Sequence, residues 1–314
     1  MKICLSIATD EIEFKKMVDD LEQYAQVDVV GLRGVSLQGY DIFIGKELSE
    51  SILNTADRLK MVFAYKTGVE DFPLAMLAEK GITLVNSHVD AKYIAEYAFG
   101  LSISLVNRIT ECDKKLRKGI WYDAQNPYWR SIFNMKVGLL GYGHIGKQVH
   151  KILYQNGIKT YTLDRKKRYR DIFVCESVEE LFQKTDLVIL SLPKTPETDG
   201  IVNRNTLSLL KDKYIVNVGR SNCIVQEDLY YALKYGEIAG AAIDTWDKKP
   251  ENKESILNPS VYPFVELDNI VLSPHQAMRV EVGHKRYVSD ITKKVIRYLQ
   301  TGKITDKVDF EKGY

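Results

Sequence analysis

Cysteine is scarce in this chain, and the four present, Cys4, Cys112, Cys175 and Cys223, form no C-x-x-C pair. That argues against both a dense disulfide framework and a zinc-ligand spacing, and it points to a reducing cytoplasm. No segment reaches the roughly 18 consecutive apolar residues of a membrane span, and MKICLSIATDE meets acidic residues after a few apolar ones, so neither an anchor nor an export signal is expected. Charge of one sign is missing too: 44 Lys and Arg stand against 42 Asp and Glu, for a net charge of +2. Such a balance offers no field for nucleic acid or an anionic membrane, and a small neutral or locally anionic partner fits better. H-E-x-x-H, paired histidines and clustered carboxylates are also lacking, so no metal is expected.

What is present is ordinary for a folded protein: 45% hydrophobic and 27% charged residues over 314 positions. That length exceeds what one hydrophobic core usually supports, so two domains are expected. Through the first ninety residues short apolar runs, KICLSI, VDVVGL, DIFIG, KMVFAY and ITLVN, alternate with amphipathic stretches, the pattern of parallel strands joined by helices. From Tyr93 to about Trp121 there is no proline, and Ile94, Ala98, Leu101, Leu105 and Ile109 recur at helical spacing, so one long helix is expected. A second alternating set follows, KVGLLG, KTYTLD, DLVILSLP, YIVNVG, IAGAAID and NIVLSP, enough for a doubly wound sheet of six strands. The helical stretch after Pro274 could return to the first domain and make it discontinuous.

The segment from Gly138 to Gly146 places G-x-G-x-x-G directly after an apolar strand and at the head of the helix IGKQVHKILYQNG. In that context Gly141 serves the tight turn, Gly143 lets backbone approach a pyrophosphate, and Gly146 allows close helix packing. The next strand ends in Asp164, whose carboxylate suits an adenosine ribose and repels a 2′-phosphate, so NAD is favoured over NADP. Arg165 and the rest of RKKRYR temper that preference, because a cation beside the carboxylate can hold the phosphate of NADP. A phosphate-loop NTPase is disfavoured because Gln148 stands where Mg²⁺ chemistry needs a hydroxyl.

Three later segments, SLPKTPETDGIVN (191–203), VNVGRSNCIVQEDLYYALKYGEIAGAAIDTWDKKP (216–250) and LSPHQA (272–277), together resemble the signature blocks of the D-isomer-specific 2-hydroxyacid dehydrogenases. The resemblance implies an α/β protein of two doubly wound parallel-sheet domains. A Rossmann NAD-binding domain (98–283) would be inserted in a flavodoxin-like substrate domain (1–97 and 284–314). It implies hydride transfer between NAD(H) and a small 2-oxo or D-2-hydroxy acid, and a homodimer through the nucleotide domain. Carried over residue by residue, Arg220 binds the substrate's carboxylate and carbonyl oxygen, and His275 is the acid/base. Asp244 receives the nicotinamide carboxamide, and the backbone N–H groups of Thr67 and Gly68 hold the substrate carboxylate. His144 and Ile145 within the glycine turn, and Pro193 at the end of the third run of the second set, line the cofactor. Tyr65, Phe72, Tyr97 and Trp246 are aromatic candidates for a substrate side-chain pocket. The length leaves no room for an appended regulatory domain of the long phosphoglycerate dehydrogenase type.

One position departs from the family: a glutamate expected before a proline, partner to the histidine, is here Lys249, followed by Pro250. A carboxylate there would raise the imidazole pKa, whereas an ammonium would lower it. Four readings are open. Asp247 or Glu251 supplies the carboxylate; Lys249 turns to solvent and leaves a working His–Arg pair; it holds a second acidic group on the substrate; or catalysis is lost, leaving an NAD-binding or sensing protein.

Overall fold

The computed structural model describes all residues except 7–11, 32–34, 122–127, 164–170, 249, 251–256, 284 and 314. Five strands and three helices open the chain: β1 (Lys2–Ser6), α1 (Ile12–Glu22), β2 (Gln26–Val30), β3 (Ile42–Gly45), α2 (Glu50–Leu53), β4 (Met61–Ala64), α3 (Leu74–Glu79) and β5 (Thr83–Val85). There follow α4 (Ala91–Val106), α5 (Ile109–Leu116), β6 (Lys136–Leu140), α6 (His144–Gln155), β7 (Lys159–Leu163), β8 (Phe173–Cys175), α7 (Val178–Lys184) and β9 (Leu187–Leu190). The last elements are α8 (Arg204–Leu207), β10 (Tyr214–Asn217), α9 (Gln226–Lys234), β11 (Gly240–Ile243), β12 (Ile270–Leu272) and α10 (Lys285–Thr301).

The chain divides into two compact units, Met1–Asp90 with Val280–Tyr314, and Ala91–Arg279. The first boundary thus falls before α4 rather than after residue 97, because α4 packs along its whole length on α6, β10, β11 and β12 of the second unit. The return falls at Val280 rather than at residue 284.

The first unit is a parallel sheet of order β2-β1-β3-β4-β5, the flavodoxin-like order. Its strands obey the period of two expected when both faces are covered. Ile3, Leu5, Ile42, Ile44, Met61 and Phe63 pack with Phe14, Met17 and Leu21 of α1 and with Tyr287, Val288, Ile291 and Val295 of α10. Cys4, Phe43 and Val62 face the other way, against Leu53, Leu77 and Val308. The returning segment therefore completes both faces of the core.

The second unit is a parallel sheet of order β12-β11-β10-β9-β6-β7-β8, a doubly wound order with one strand more than the six read from the sequence. The additional strand, β8, is a three-residue edge strand within the short apolar run IFVC (172–175), with Phe173 and Val174 exposed. Val137, Leu139, Ile189, Val216 and Ala242 pack against α4 and α6, while Leu140, Val188, Leu190, Ile215 and Ile243 pack against α7 and α9.

The single helix expected from Tyr93 to Trp121 is two. Arg108 adopts φ 57°, a left-handed conformation that interrupts the helical hydrogen-bond ladder. Its guanidinium pairs with Glu111 at 2.6 Å. α4 carries seven buried residues and α5 none, so the core-facing stripe ends where the helix breaks. No helix among the described residues is long and apolar enough to cross a membrane.

Candidate active site

The glycine turn leaves β6 at the position where the strand order reverses, since β6 lies between β9 and β7. Gly141 has φ 110°, and a Cβ there would come within 3.0 Å of the Ser191 carbonyl, whose hydroxyl in turn donates to Gly141 O at 3.0 Å. At Gly146 a Cβ would lie 2.1 Å from Gly141 O, so any side chain would force α6 off the turn. The close packing is thus against the loop's own carbonyl rather than against the strand. Gly143 caps α6 and has open space where a Cβ would stand, and His144 beside it is exposed. Ile145 is half-buried against the α4–α6 core. The first turn of α6 therefore presents backbone N–H groups and the positive dipole end to a bare glycine surface, which fits a pyrophosphate.

Strand register places the other residues at the same edge. Leu140, Leu190, Asn217, Ile243 and Leu272 form one row across β6, β9, β10, β11 and β12, the last residue of each strand. Gly141 and Asp244 come one residue beyond that row, and Pro193, Arg220 and His275 three residues beyond it. All strands are parallel, so every one of these loops leaves the same C-terminal edge, where open α/β sheets bind ligands. Pro193 O accepts from the Thr198 hydroxyl at 2.7 Å, which ties down the segment after β9.

Arg220 is half-buried and its turn is shaped by Asn217, a residue that the motifs did not single out. Asn217 is 1% exposed; its Oδ1 accepts from Gly219 N at 2.9 Å and its Nδ2 donates to Arg220 O at 3.0 Å. A polar side chain closing the apolar strand YIVNV was the available signal, because a buried amide must find partners.

His275 is exposed and has φ 56°, a left-handed conformation that costs a non-glycine residue about 1–2 kcal/mol. Asp244, 1% exposed, holds that turn. Its carbonyl accepts from His275 N at 2.9 Å, and its carboxylate accepts from Gln276 N at 2.7 Å, from Ala277 N at 3.2 Å and from the Ser273 hydroxyl. The carboxylate expected to meet the nicotinamide carboxamide is therefore engaged in orienting the histidine turn. Ser273 also meets Tyr97 Oη at 2.9 Å, and its carbonyl accepts from Trp246 Nε1 at 2.9 Å. Trp246 is buried against Phe264 and supports the turn rather than an open pocket.

In the first unit, Thr67 and Gly68 follow β4. Thr67 Oγ1 donates to Ser87 O at 2.8 Å, and Asn86 Nδ2 donates to Thr67 O at 2.7 Å. Tyr65 and Phe72, candidates for a side-chain pocket, are buried; Tyr65 stacks edge-on against Phe14 and belongs to the core.

Several expected residues, Asp164, Arg165, Lys249 and Glu251, lie outside the described residues. Asp247 is described and exposed.

Residues 99–277 match the family model "D-isomer specific 2-hydroxyacid dehydrogenase, NAD binding domain". A glyoxylate reductase of Thermofilum pendens is 29% identical over 264 residues, covering 81% of this chain and 76% of that protein. A D-3-phosphoglycerate dehydrogenase of Methanocaldococcus jannaschii is 28% identical over 88% of this chain, which spans only 51% of that relative's length. A crystal structure of a protein from Pyrococcus horikoshii OT3 superposes with a TM-score of 0.83 at 25% identity, covering 98% of this chain and 95% of that one. Both named relatives are enzymes, and the alternative of a catalytically impaired NAD-binding or sensing protein finds no support in these comparisons.

Proposed function

The chain belongs to the D-isomer specific 2-hydroxyacid dehydrogenases, NAD-dependent oxidoreductases, and on that premise we propose that it reduces a small 2-oxo acid to the D-2-hydroxy acid through Arg220 and His275. The observation that carries the assignment of roles is the register row: the glycine turn, Arg220 and His275 leave one sheet edge, and a buried polar side chain holds the turn of each of the two. A planar, permanently charged guanidinium matches a carboxylate oxygen and the adjacent carbonyl oxygen together. Arg220 in that role stabilises the negative charge that develops on the carbonyl oxygen. His275 as imidazolium then donates its proton to that oxygen, and as neutral imidazole it accepts the hydroxyl proton in reverse. The N–H groups of Thr67 and Gly68 receive the far carboxylate oxygen. Gly141, Gly143, His144, Ile145 and Gly146 would hold the dinucleotide's pyrophosphate, with Pro193 beside it and Asp164 toward the adenosine ribose. When bound, the dinucleotide supplies the hydride.

The test is oxidation of NADH, followed by absorbance, with glyoxylate, hydroxypyruvate, pyruvate, oxaloacetate, 2-oxoglutarate and phenylpyruvate, and with NADPH in parallel. Turnover of at least one is expected, with NADH preferred. Binding of NADH without turnover across the panel overturns the reading. A preference for a diacid assigns Lys249 to recognition of the second carboxylate, and Lys249→Glu then abolishes that preference.

The same reading includes a homodimer in the cytoplasm. Trp121, Tyr128, Trp129 and Phe133 of the second unit are 88%, 99%, 57% and 63% exposed, and large aromatic surface open to solvent supports an interface between two copies. The four cysteines are free, which suits a reducing compartment. Light scattering at micromolar concentration reports the dimer directly.

A further inference from the structure

The first unit contains a largely buried lysine that the proposed chemistry does not use. Lys294, on α10, has a side chain only 10% exposed. Burying a charge is costly unless it is paired and hydrogen-bonded. Its three N–H bonds are matched by three acceptors: Asp290 Oδ2 at 2.7 Å, Asp306 Oδ2 at 2.7 Å and Asn86 O at 2.9 Å. Asp290 Oδ2 also accepts from the Ser87 hydroxyl at 2.6 Å, and Asn86 N donates to Asp306 O at 3.3 Å.

Asn86 and Ser87 are in turn what the Thr67 loop rests on. Besides the two side-chain bonds at Thr67, Ser87 N donates to Lys66 O at 3.1 Å. The β4–β5 ladder has already ended, at Phe63 opposite Val85, so no sheet pairing holds residues 66–68. The loop is attached to 86–87, and 86–87 to the returning segment through one ammonium and two carboxylates.

We propose that Lys294, with Asp290 and Asp306, is the positioning group for the substrate-carboxylate loop at Thr67 and Gly68, acting through Asn86 and Ser87. This rests on the assignment of Thr67 and Gly68 to the substrate carboxylate. The ammonium does two things: it orders the loop, and it offsets one of the two carboxylate charges that would otherwise repel an incoming anion.

The test compares Lys294→Met, Lys294→Arg and the milder Ser87→Ala with the wild type, in full-length protein. For the best substrate of the panel, Lys294→Met is expected to raise KM about tenfold and Ser87→Ala about threefold, with kcat and NADH affinity nearly unchanged. Lys294→Arg restores part of the loss. In parallel, amide hydrogen exchange of Asn86 and Ser87, whose N–H groups donate to Asp306 O and Lys66 O, is expected to accelerate in both weakening variants, while β3 and β4 stay protected. Unchanged exchange at Asn86 and Ser87 in both variants overturns the proposal. So does a fall in kcat and NADH affinity in step with KM, which marks a general loss of stability. Should the wild type turn over no oxo acid, the proposed function fails, and the exchange measurement still decides whether Lys294 holds the loop.

Discussion

In the second unit the loops at the sheet edge are held by neighbours in the same continuous stretch of chain. Asn217 reaches two and three residues ahead to set Arg220, and Asp244 reaches 32 and 33 residues ahead to set the turn of His275. In the first unit Thr67 rests on Asn86 and Ser87, and these are held by Asp290 and Lys294 across 203 and 208 residues. The same architectural device, a parallel sheet with loops at its C-terminal edge, is thus stabilised locally in one unit and by a returning segment in the other. Local fixing lets a motif carry its own geometry. Fixing at long range makes a loop's geometry depend on the closure of the whole unit.

The largest effect that could break this comparison is at Arg220. Arg220→Ala is expected to lower kcat/KM by about a thousandfold, as loss of a charged group at a developing oxyanion does, while NADH binding and the melting temperature stay close to wild type. Retention of most turnover would move the catalytic weight out of the second unit.

Next comes Gly146→Ala, whose Cβ would lie 2.1 Å from Gly141 O. Overpacking against backbone is expected to cost about 1–3 kcal/mol of second-unit stability and to weaken NADH binding, read by thermal melting and by nucleotide fluorescence titration. A variant that binds NADH as tightly as wild type would show that the turn can shift.

Asn217→Ala sharpens the contrast between local and distant fixing. It leaves a buried N–H and a buried carbonyl without their amide partner, at a cost of about 1–2 kcal/mol. The expected result is a lower kcat/KM with faster amide exchange confined to residues 218–221. Exchange that spreads across the second unit would mean that Asn217 supports the fold rather than one turn.

The smallest effect concerns the opposite edge of the first unit, where Asp41 accepts from Arg58 at 2.6 Å and 3.1 Å and from Lys2 N at 2.8 Å. The Arg58 hydrogen bonds hold the Asp41 carboxyl below its ordinary pKa. A depressed folded-state pKa contributes stability above the unfolded value of about 4, and that contribution disappears as pH falls through the folded value. Arg58→Ala should therefore melt slightly below wild type at neutral pH, with the difference closing in acid and kcat unchanged. A difference that persists unchanged at pH 3 would show that packing of the Arg58 stem, not the ion pair, is what matters.

Much of this organisation was legible in the residues. The five strands of the first unit and six of the seven in the second followed from short apolar runs, because strands covered on both faces cannot hide among polar residues. β8 carries a short apolar run too, IFVC (172–175), but its place at the sheet edge, with Phe173 and Val174 exposed, is not disclosed by that run. The helix break at Arg108 escaped because left-handed arginine has no sequence signature comparable to glycine or proline. The motif places Asp244 at a strand end, but the bonds of its carboxylate to the histidine turn depend on Ser273, Gln276 and Ala277 arriving from the next strand.

The chain by itself determined the alternation of strands and helices, the glycine turn after β6 and the placement of Arg220 and His275 just past strand ends, since periodicity, backbone freedom and strand polarity are properties of short segments. Only the tertiary structure decided what holds those turns: the register row that aligns five strand ends, the buried carboxylate behind His275, and the Lys294 network under Thr67. Those are pairings between residues far apart in sequence, and their partners are chosen by burial, where every buried charge and amide must be matched by whatever group the fold brings within reach.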